Sequence, residues 1–216
     1  MIARIDAVLT GRAEVFGKNG EPSAIAKVPS LEQLAVGPLG LAQDEQADLV
    51  HHGGYDKAIH HYPIDHYGYW REAIGEHSLL ARPGAFGENI STTGIIETEV
   101  CIGDRFRLGT ALLEISQGRQ PCWKLGHRFK NAKVPELVVT SRKSGWYYRV
   151  IEPGRVRAGD NIMLVDRHWP QWSVADVFGM LIGGVGKNAP ALMCELATLP
   201  PLAASWKERA NRLAAK

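Results

Sequence analysis

The sequence predicts a β-rich α+β fold, a mixed β-barrel with inserted helices followed by a small C-terminal domain of three helices. Short β-type runs separated by glycine- and proline-containing turns fill most of the first two-thirds of the chain, and only helix-type patterns follow residue 170. Many short strands at this spacing favour a barrel or a sandwich over a βαβ sheet. We therefore place a barrel domain at 1–170 and a three-helix domain at 171–216.

The strands are predicted from two stretches of alternating residues. "RFRLGTALLEIS" has a β-type run on each side of Gly109-Thr110, which is typical of a hairpin. "GWYYRVIEPGRVRAGDNIMLVDR" gives three more runs, broken at Pro153-Gly154 and at Gly159-Asp160.

Two helices are predicted between the strands. In "YPIDHYGYWREAIG", Pro63 suits a first turn, Asp65 suits the positive N-terminus and Gly75 suits the stop. "VPELVVTSRKSG" predicts a second, shorter helix. The C-terminal helices are predicted in "SVADVFGMLIGG", "APALMCELATL" and "PLAASWKERANRLAAK".

The composition is that of a soluble globular protein. The chain has 216 residues, 45% of them hydrophobic, and a formal net charge of +2, which is too small to indicate a nucleic-acid or membrane partner. We expect neither a signal peptide nor a membrane helix, since charges interrupt every apolar run. The three cysteines are odd in number and far apart, so we expect a reducing cytoplasm.

The stretch "SQGRQPCWKLGHR" is the main candidate for chemistry. It surrounds Cys122 with Arg119, Lys124, His127 and Arg128, and such cations favour the thiolate, which is the nucleophilic and metal-binding form of cysteine. One thiolate cannot hold a metal alone, but it can supply one ligand to a metal that a cofactor also binds. The alternative is that Cys122 is a small buried hydrophobic residue.

The stretch "VHHGGYDKAIHHYP" is rich in histidine, with His51, His52, His60 and His61. The chain has no HExxH or CxxC spacing, and adjacent histidines in a strand point to opposite faces, so a zinc site made by the protein alone is disfavoured. A phosphate site is the better interpretation, because two glycines allow backbone N–H groups to approach a ligand. Its residues are Gly53, Gly54, Asp56 and Lys57. A structural turn with a solvated Asp-Lys pair is the alternative.

The stretch "AFGENISTTG" places four different groups next to one another. They are the aromatic ring of Phe86, the flexible Gly87, the carboxyl group of Glu88 and the amide of Asn89. Asn89 could contact the edge of a heterocycle as donor and acceptor together. A structural turn is again the alternative. "GGVGKN" does not satisfy the phosphate-loop pattern, and no GxGxxG is present, so neither motif predicts a nucleotide site.

Taken together and in order, these motifs resemble the MOSC domains, named for the C-terminal domain of molybdenum-cofactor sulfurase, and most closely their bacterial YiiM-like members. The resemblance covers nearly the whole chain, including the three C-terminal helices. It is carried by "PSAIAK", "AQDEQADLVHHGG", "DKAIHHYPIDHYGYW", "FGENISTTG", "GDRFRLG", "ISQGRQPCWKL" and "GWYYRVIEPG".

The resemblance implies a MOSC-type barrel that binds the molybdenum cofactor, a molybdopterin. Cys122 would be the catalytic residue and the protein's sulfur ligand to molybdenum. Arg119, Lys27 and the turn from His52 to Gly54 would bind the cofactor's phosphate, and Asn89 and Gln117 would contact the pterin or the substrate. The implied cofactor-binding set is Lys27, His52, Gly53, Gly54, Asp56, Lys57, Phe86, Gly87, Glu88, Asn89, Gln117 and Arg119.

The family also implies an activity, the two-electron reduction of small N-hydroxylated compounds such as N-hydroxylated bases. Electrons would come from an external redox protein, because no flavin, haem or iron–sulfur motif is present. The three-helix segment would dock that donor, or serve as a stabilising cap or a homodimer contact. The chain departs from the family at Gly118 and Tyr55, where proline is common, which puts substrate preference in doubt.

Two other functions stay open at this point. The protein could carry the cofactor, or accept a persulfide on Cys122, without reducing a substrate. It could also be a metal-free thiol enzyme with His127 as the base.

Overall fold

The computed structural model describes residues 2–17, 20–47 and 53–215. These residues form thirteen strands and six α-helices. The strands are β1 (Ile2–Thr10), β2 (Glu14–Val15), β3 (Pro22–Ser23), β4 (Val28–Pro29), β5 (Leu34–Gly37), β6 (Gly40–Leu41), β7 (Ile59–Pro63), β8 (Ile90–Thr92), β9 (Arg105–Leu108), β10 (Ala111–Gly118), β11 (Trp146–Glu152), β12 (Gly154–Val156) and β13 (Asn161–Asp166). The helices are α1 (Tyr67–Ile74), α2 (Trp123–Arg128), α3 (Val134–Ser141), α4 (Val174–Leu181), α5 (Pro190–Thr198) and α6 (Ala204–Ala214).

A closed barrel of seven strands is the centre of the fold, which confirms the predicted class. The order around it is β13, β9, β10, β11, β7, β8 and β1, and β1 returns to pair with β13. Only β7 and β8 pair in parallel, so the barrel is mixed. Closure leaves the ring without free edges, which protects it from pairing with other chains.

The turns predicted in the two stretches of alternating residues are confirmed. The β9–β10 hairpin turns at Gly109-Thr110, where Ala111 pairs with Leu108. The run after Trp146 divides into β11, β12 and β13 at the predicted breaks. The middle strand, β12, pairs with β5 in a separate three-stranded sheet.

The first inserted helix begins later than predicted. Pro63 ends β7, where it pairs with Thr92, and a 3₁₀ turn over Ile64–His66 precedes α1. The prediction that Pro63 lies in the first helical turn is therefore wrong. Gly75 does end α1, at φ 81°, a left-handed conformation that favours glycine.

Helix α2 is not in the predicted set, although it follows directly after Cys122. Its six residues span less than two turns, which is too short for an apolar periodicity to show in the sequence. The buried Leu125 is its main contribution to the core. This helix makes Cys122 the N-cap residue of an ordered element.

The three predicted C-terminal helices are present and share one hydrophobic core with the barrel. Phe178 of α4 and Trp206 of α6 are buried, and a Cβ added at Gly118 of β10 would lie 3.1 Å from each of their rings. The bridge between Cys101 and Ser173 joins the helical segment to the barrel again. The boundary at residue 170 stays a prediction. None of the helices in the described ranges is long and apolar enough to cross a membrane.

Candidate functional site

One pocket brings most of the candidate residues together. It has a volume of about 590 Å³ including its open mouth, and it lies between the start of α2, the 3₁₀ turn at Tyr55–Lys57 and the loop before β8. Its walls are formed by Ser23, Ala24, Ile25, Lys27, Asp44, Glu45, Gln46, Ala47, Lys57, His60, Phe86, Gly87, Asn89, Arg119, Cys122, Lys124 and Tyr147.

Cys122 is the sulfur group of this pocket. It is half-buried, whereas Cys101 is buried and Cys194 is exposed on α5. Its backbone is extended, at φ −129° and ψ 171°, and α2 begins at the next residue. The thiol therefore lies at the junction of a loop and a helix, where it faces a ligand-sized space.

Cations from four segments line the same pocket. Lys57 follows the glycine turn, Arg119 follows β10, and Lys124 lies in the first turn of α2. Arg119 is 6% exposed and Lys124 is 8% exposed, so both are held within the wall. Lys124 Nζ donates to the carbonyl of Pro22 at 2.9 Å. Low-dielectric surroundings strengthen the attraction of such cations for an anion.

The fourth cation, Lys27, is neutralised by Asp44. Their side chains form an ion pair that is 8% and 5% exposed. Burial lowers the pKa of Lys27, and the Asp44 carboxylate opposes that shift. Asp44 also accepts from the Gly11 amide and from Asn89 Nδ2, both at 2.8 Å. Lys27 lines the pocket as one half of a pair, so it contributes less positive charge than the sequence suggests.

Asn89 lines the pocket with its amide already bonded to protein. Its Oδ1 accepts from the backbone N–H of His60 at 3.1 Å, and its Nδ2 donates to Leu9 and Asp44. These bonds join β7, β1 and the Asp44 segment. The structure places Asn89 at the wall as a connector of three segments.

Glu88 does not line the pocket, because it folds the loop that does. Its carboxylate accepts from the Gly84 amide at 2.6 Å, the Phe86 amide at 3.0 Å and the Tyr67 hydroxyl at 3.0 Å. Burial raises the pKa of Glu88, and the hydrogen bonds oppose the shift. Gly87, at φ 77°, allows the loop to pass close to Ile25.

Arg128 fastens this loop to the helix that follows Cys122. Its Nε donates to the carbonyl of Ala85 at 2.9 Å and its Nη2 donates to that of Gly84 at 2.8 Å. Phe86 completes the wall, since its ring is stacked on Tyr62 with centroids 4.1 Å apart. His127, in contrast, is exposed and packs edge-on against Phe16. It is not among the residues that line the pocket.

His60 is a pocket residue that the predicted site set lacks. It is 3% exposed, and burial together with the charge of Arg119 lowers its pKa well below the usual value. Its Nε2 has no hydrogen-bond partner among the described residues. The alternation of side chains along β7 could have indicated that His60 and His61 face opposite sides. His60 faces the pocket, and His61 bonds to Tyr148 and Thr92.

The remaining predicted residues that the structure describes are not among those that line the pocket. Gly53 and Gly54 pack against Gln46, whose Oε1 accepts from the Gly54 amide at 3.1 Å. Gln117 is buried, and its Oε1 has no partner within the described ranges. Asp56 bonds to Arg149 and not to the pocket. His52, together with His51, falls outside the described residues.

The fold and this pocket define a class of protein, and comparison with known families identifies it. Residues 48–163 match the MOSC domain, so the chain belongs to the MOSC domain family. It is 44% identical to the protein YiiM of Escherichia coli over 160 residues, which are 74% of this chain and 71% of that protein.

Two further relatives extend the comparison. The crystal structure of YiiM from Geobacillus stearothermophilus superposes with a TM-score of 0.82 at 32% identity. The superposition covers 99% of this chain and 100% of that one. A protein of Gibberella moniliformis named "Reductase" is 38% identical over 172 residues, which are 79% of this chain but only 30% of that protein. The superposition on the Geobacillus stearothermophilus structure includes the C-terminal helices.

Proposed function

We propose that this chain binds the molybdenum cofactor in the pocket, with Cys122 as a ligand to the metal, and reduces N-hydroxylated compounds. The observation that carries the proposal is a half-buried thiol in the same pocket as Lys57, Arg119 and Lys124. Membership of the MOSC family supports the cofactor, and the name of the fungal relative supports a redox reaction.

The residues present fit such a cofactor. A thiolate is a soft ligand that suits a molybdenum centre also held by sulfur. Within the described ranges, no three His, Cys, Asp or Glu side chains meet in a group that could hold a metal ion. A metal at Cys122 would therefore take its other ligands from a bound organic group, and the neighbouring cations suit a phosphate on that group.

The side chains of the pocket divide the work of binding. Arg119, Lys57 and Lys124 would hold the phosphate, and Cys122 would hold the metal. Burial raises the pKa of Tyr147, which also lines the pocket, so its hydroxyl stays protonated and can donate to a ligand. Phe86, stacked on Tyr62, would give the site one apolar wall.

The bound metal would supply a two-electron centre that accepts oxygen. The overall reaction takes an N-hydroxylated compound, two electrons and two protons to the amine and water, with cleavage of the N–O bond. We propose that a separate redox protein donates the electrons. Because its pKa is lowered, His60 is neutral. It would form an uncharged part of the pocket wall beside the cations, which suits an uncharged substrate.

Metal content and turnover test the proposal together. Protein from a host that makes the cofactor should contain molybdenum and should reduce a hydroxylamine substrate with a chemical reductant. Cys122→Ser should lose both, whereas Cys194→Ser, which changes an exposed cysteine on α5, should keep both. Parent protein without molybdenum would contradict the proposal, and so would undiminished turnover by Cys122→Ser. Molybdenum without turnover in the parent protein would favour a cofactor carrier.

A further inference from the structure

Two cation-bearing segments of the pocket wall each contact the C-terminal helices. Lys57 is preceded by Asp56, and Arg119 is preceded by Gly118, and both of these preceding residues contact the segment after residue 173. A cation binds an anion more tightly when its backbone already holds it at the correct distance, because less conformational entropy is lost on binding. The contacts of Asp56 and Gly118 therefore bear directly on the pocket.

Asp56 joins the glycine turn to α6. One carboxylate oxygen accepts from Arg149 Nε at 3.0 Å and Nη2 at 2.7 Å, and the other accepts from the Ala204 amide at 3.3 Å. Ala204 is the first residue of α6. The backbone carbonyl of Asp56 accepts from Ser116 Oγ at 2.5 Å. Four hydrogen bonds thus fix the turn that presents Lys57.

Gly118 joins the end of β10 to the same helices. Ala203, just before α6, donates its amide to the carbonyl of Ser116 at 3.0 Å. At Gly118 the rings of Phe178 and Trp206 come so close that an added Cβ would be 3.1 Å from each. Arg119 is the next residue, and its amide donates to Gly145 at 3.1 Å.

We propose that the C-terminal helices position the anion-binding wall of the pocket, with Asp56 as the positioning residue for Lys57 and Gly118 as the contact that sets Arg119. This inference rests on the proposed anion site but not on molybdenum or on reductase activity. It assigns to the helices a role in ligand affinity, which a docking surface or a stabilising cap would not have.

Asp56→Asn tests the proposal through the direction of the change in anion affinity. The substitution removes a negative charge beside Lys57, so charge alone would strengthen the binding of an anion. Loss of position would weaken it. In metal sites, mutation of a residue that orients a ligand typically costs about 10–100-fold in affinity, and we expect the low end of that range here. Glu208→Gln is the matched control, because Glu208 is an exposed carboxylate on α6 that lies 4.0 Å from Arg212.

The probe is inorganic pyrophosphate, titrated calorimetrically into full-length protein from a host that lacks the cofactor. We expect Asp56→Asn to bind about tenfold more weakly than the parent and Glu208→Gln to bind equally well. Equal or tighter binding by Asp56→Asn would overturn the inference and leave the anion site intact. Absence of binding by the parent would overturn both.

A second pair of variants tests the other contact, whether or not Asp56→Asn folds. Gly118→Ala places a methyl group against Trp206 and should weaken pyrophosphate binding, with Tm followed in parallel. The double variant Gly118→Ala/Trp206→Phe removes the outer indole ring but keeps Phe178, which is equally close, so it should regain part of the affinity lost in Gly118→Ala. Unchanged affinity in Gly118→Ala, with only Tm lowered, would show a structural role and contradict the proposal.

Discussion

Lys27 and Asp44 form a buried ion pair at the wall of the pocket, and Asp44 holds two further donors. Asp44→Ala would leave the Lys27 ammonium buried without its partner, so we expect a loss of about 3–5 kcal/mol in the free energy of unfolding. Urea titration measures it. Glu45→Ala removes a neighbouring carboxylate that is 44% exposed, and should cost less than about 1 kcal/mol. Equal losses in the two variants would contradict the prediction.

Arg128 bridges α2 and the loop before β8, and its removal should loosen that loop. Arg128→Lys keeps the charge but cannot donate to Gly84 and Ala85 with the geometry of a guanidinium. We expect about 1–3 kcal/mol of destabilisation and faster hydrogen exchange across residues 84–88. Arg12→Lys, at an exposed arginine, is the control. Exchange that is unchanged in Arg128→Lys would rule out this fastening role.

His61 should make the protein sensitive to mild acid. Burial lowers the pKa of His61 to about 3, so the unfolded chain binds a proton at a pH where the folded chain does not. The stability from this group is present above the unfolded pKa of about 6.5 and is lost as the pH falls towards the folded pKa. Between about pH 8 and pH 5 the loss should be about 2 kcal/mol.

His61→Gln tests this dependence, because glutamine keeps donor and acceptor groups near Tyr148 and Thr92 but does not titrate. The free energy of unfolding of the variant should fall by about 2 kcal/mol less than that of the parent over the same pH interval. The remaining titrating groups are common to both proteins, so the difference between the two pH profiles reports mainly on His61. Parallel pH profiles for the two proteins would refute the assignment.

The three cysteines should differ in reactivity. Burial and the nearby Asp104 raise the pKa of Cys101, so brief alkylation of native protein should spare it while modifying Cys194. Cys122 is half-buried, so it should react at an intermediate rate, and pyrophosphate should protect it because the proposed anion site lies in the same pocket. Peptide mass spectrometry follows each site. Protection of Cys194 to the same extent would indicate a non-specific effect.

Much of the barrel could be predicted because its signals are local. Gly109-Thr110 and Gly159-Asp160 mark turns, and the residues between them alternate, so each strand is visible within about ten positions. The short α2 has no such signal, since six residues cannot show a helical period. The cationic neighbours of Cys122 make it a candidate in the sequence, but they do not indicate that it lies at the start of a helix.

The candidate site could be predicted only in part, because side-chain chemistry does not reveal which bonds are already made. Asp44 lies 45 positions from Asn89, its partner, and nothing local to either residue indicates the pairing. Glu88 and Asn89 have groups that suit a ligand, and the structure shows these groups bonded within the protein. Arg128, which the sequence indicates only as one of the cations near Cys122, fastens the loop before β8.

The pairing of Ile2 with Met163 also constrains how the chain is made. On the ribosome, β1 emerges before the other strands of the ring, and one of its two neighbours, β13, is the last of those strands to be synthesised. One edge of β1 therefore stays open until β13 is made, and an open edge is a hazard for association with other chains. A nascent chain interrupted before residue 163 cannot close the barrel, so degradation or chaperone binding is the expected fate of such fragments.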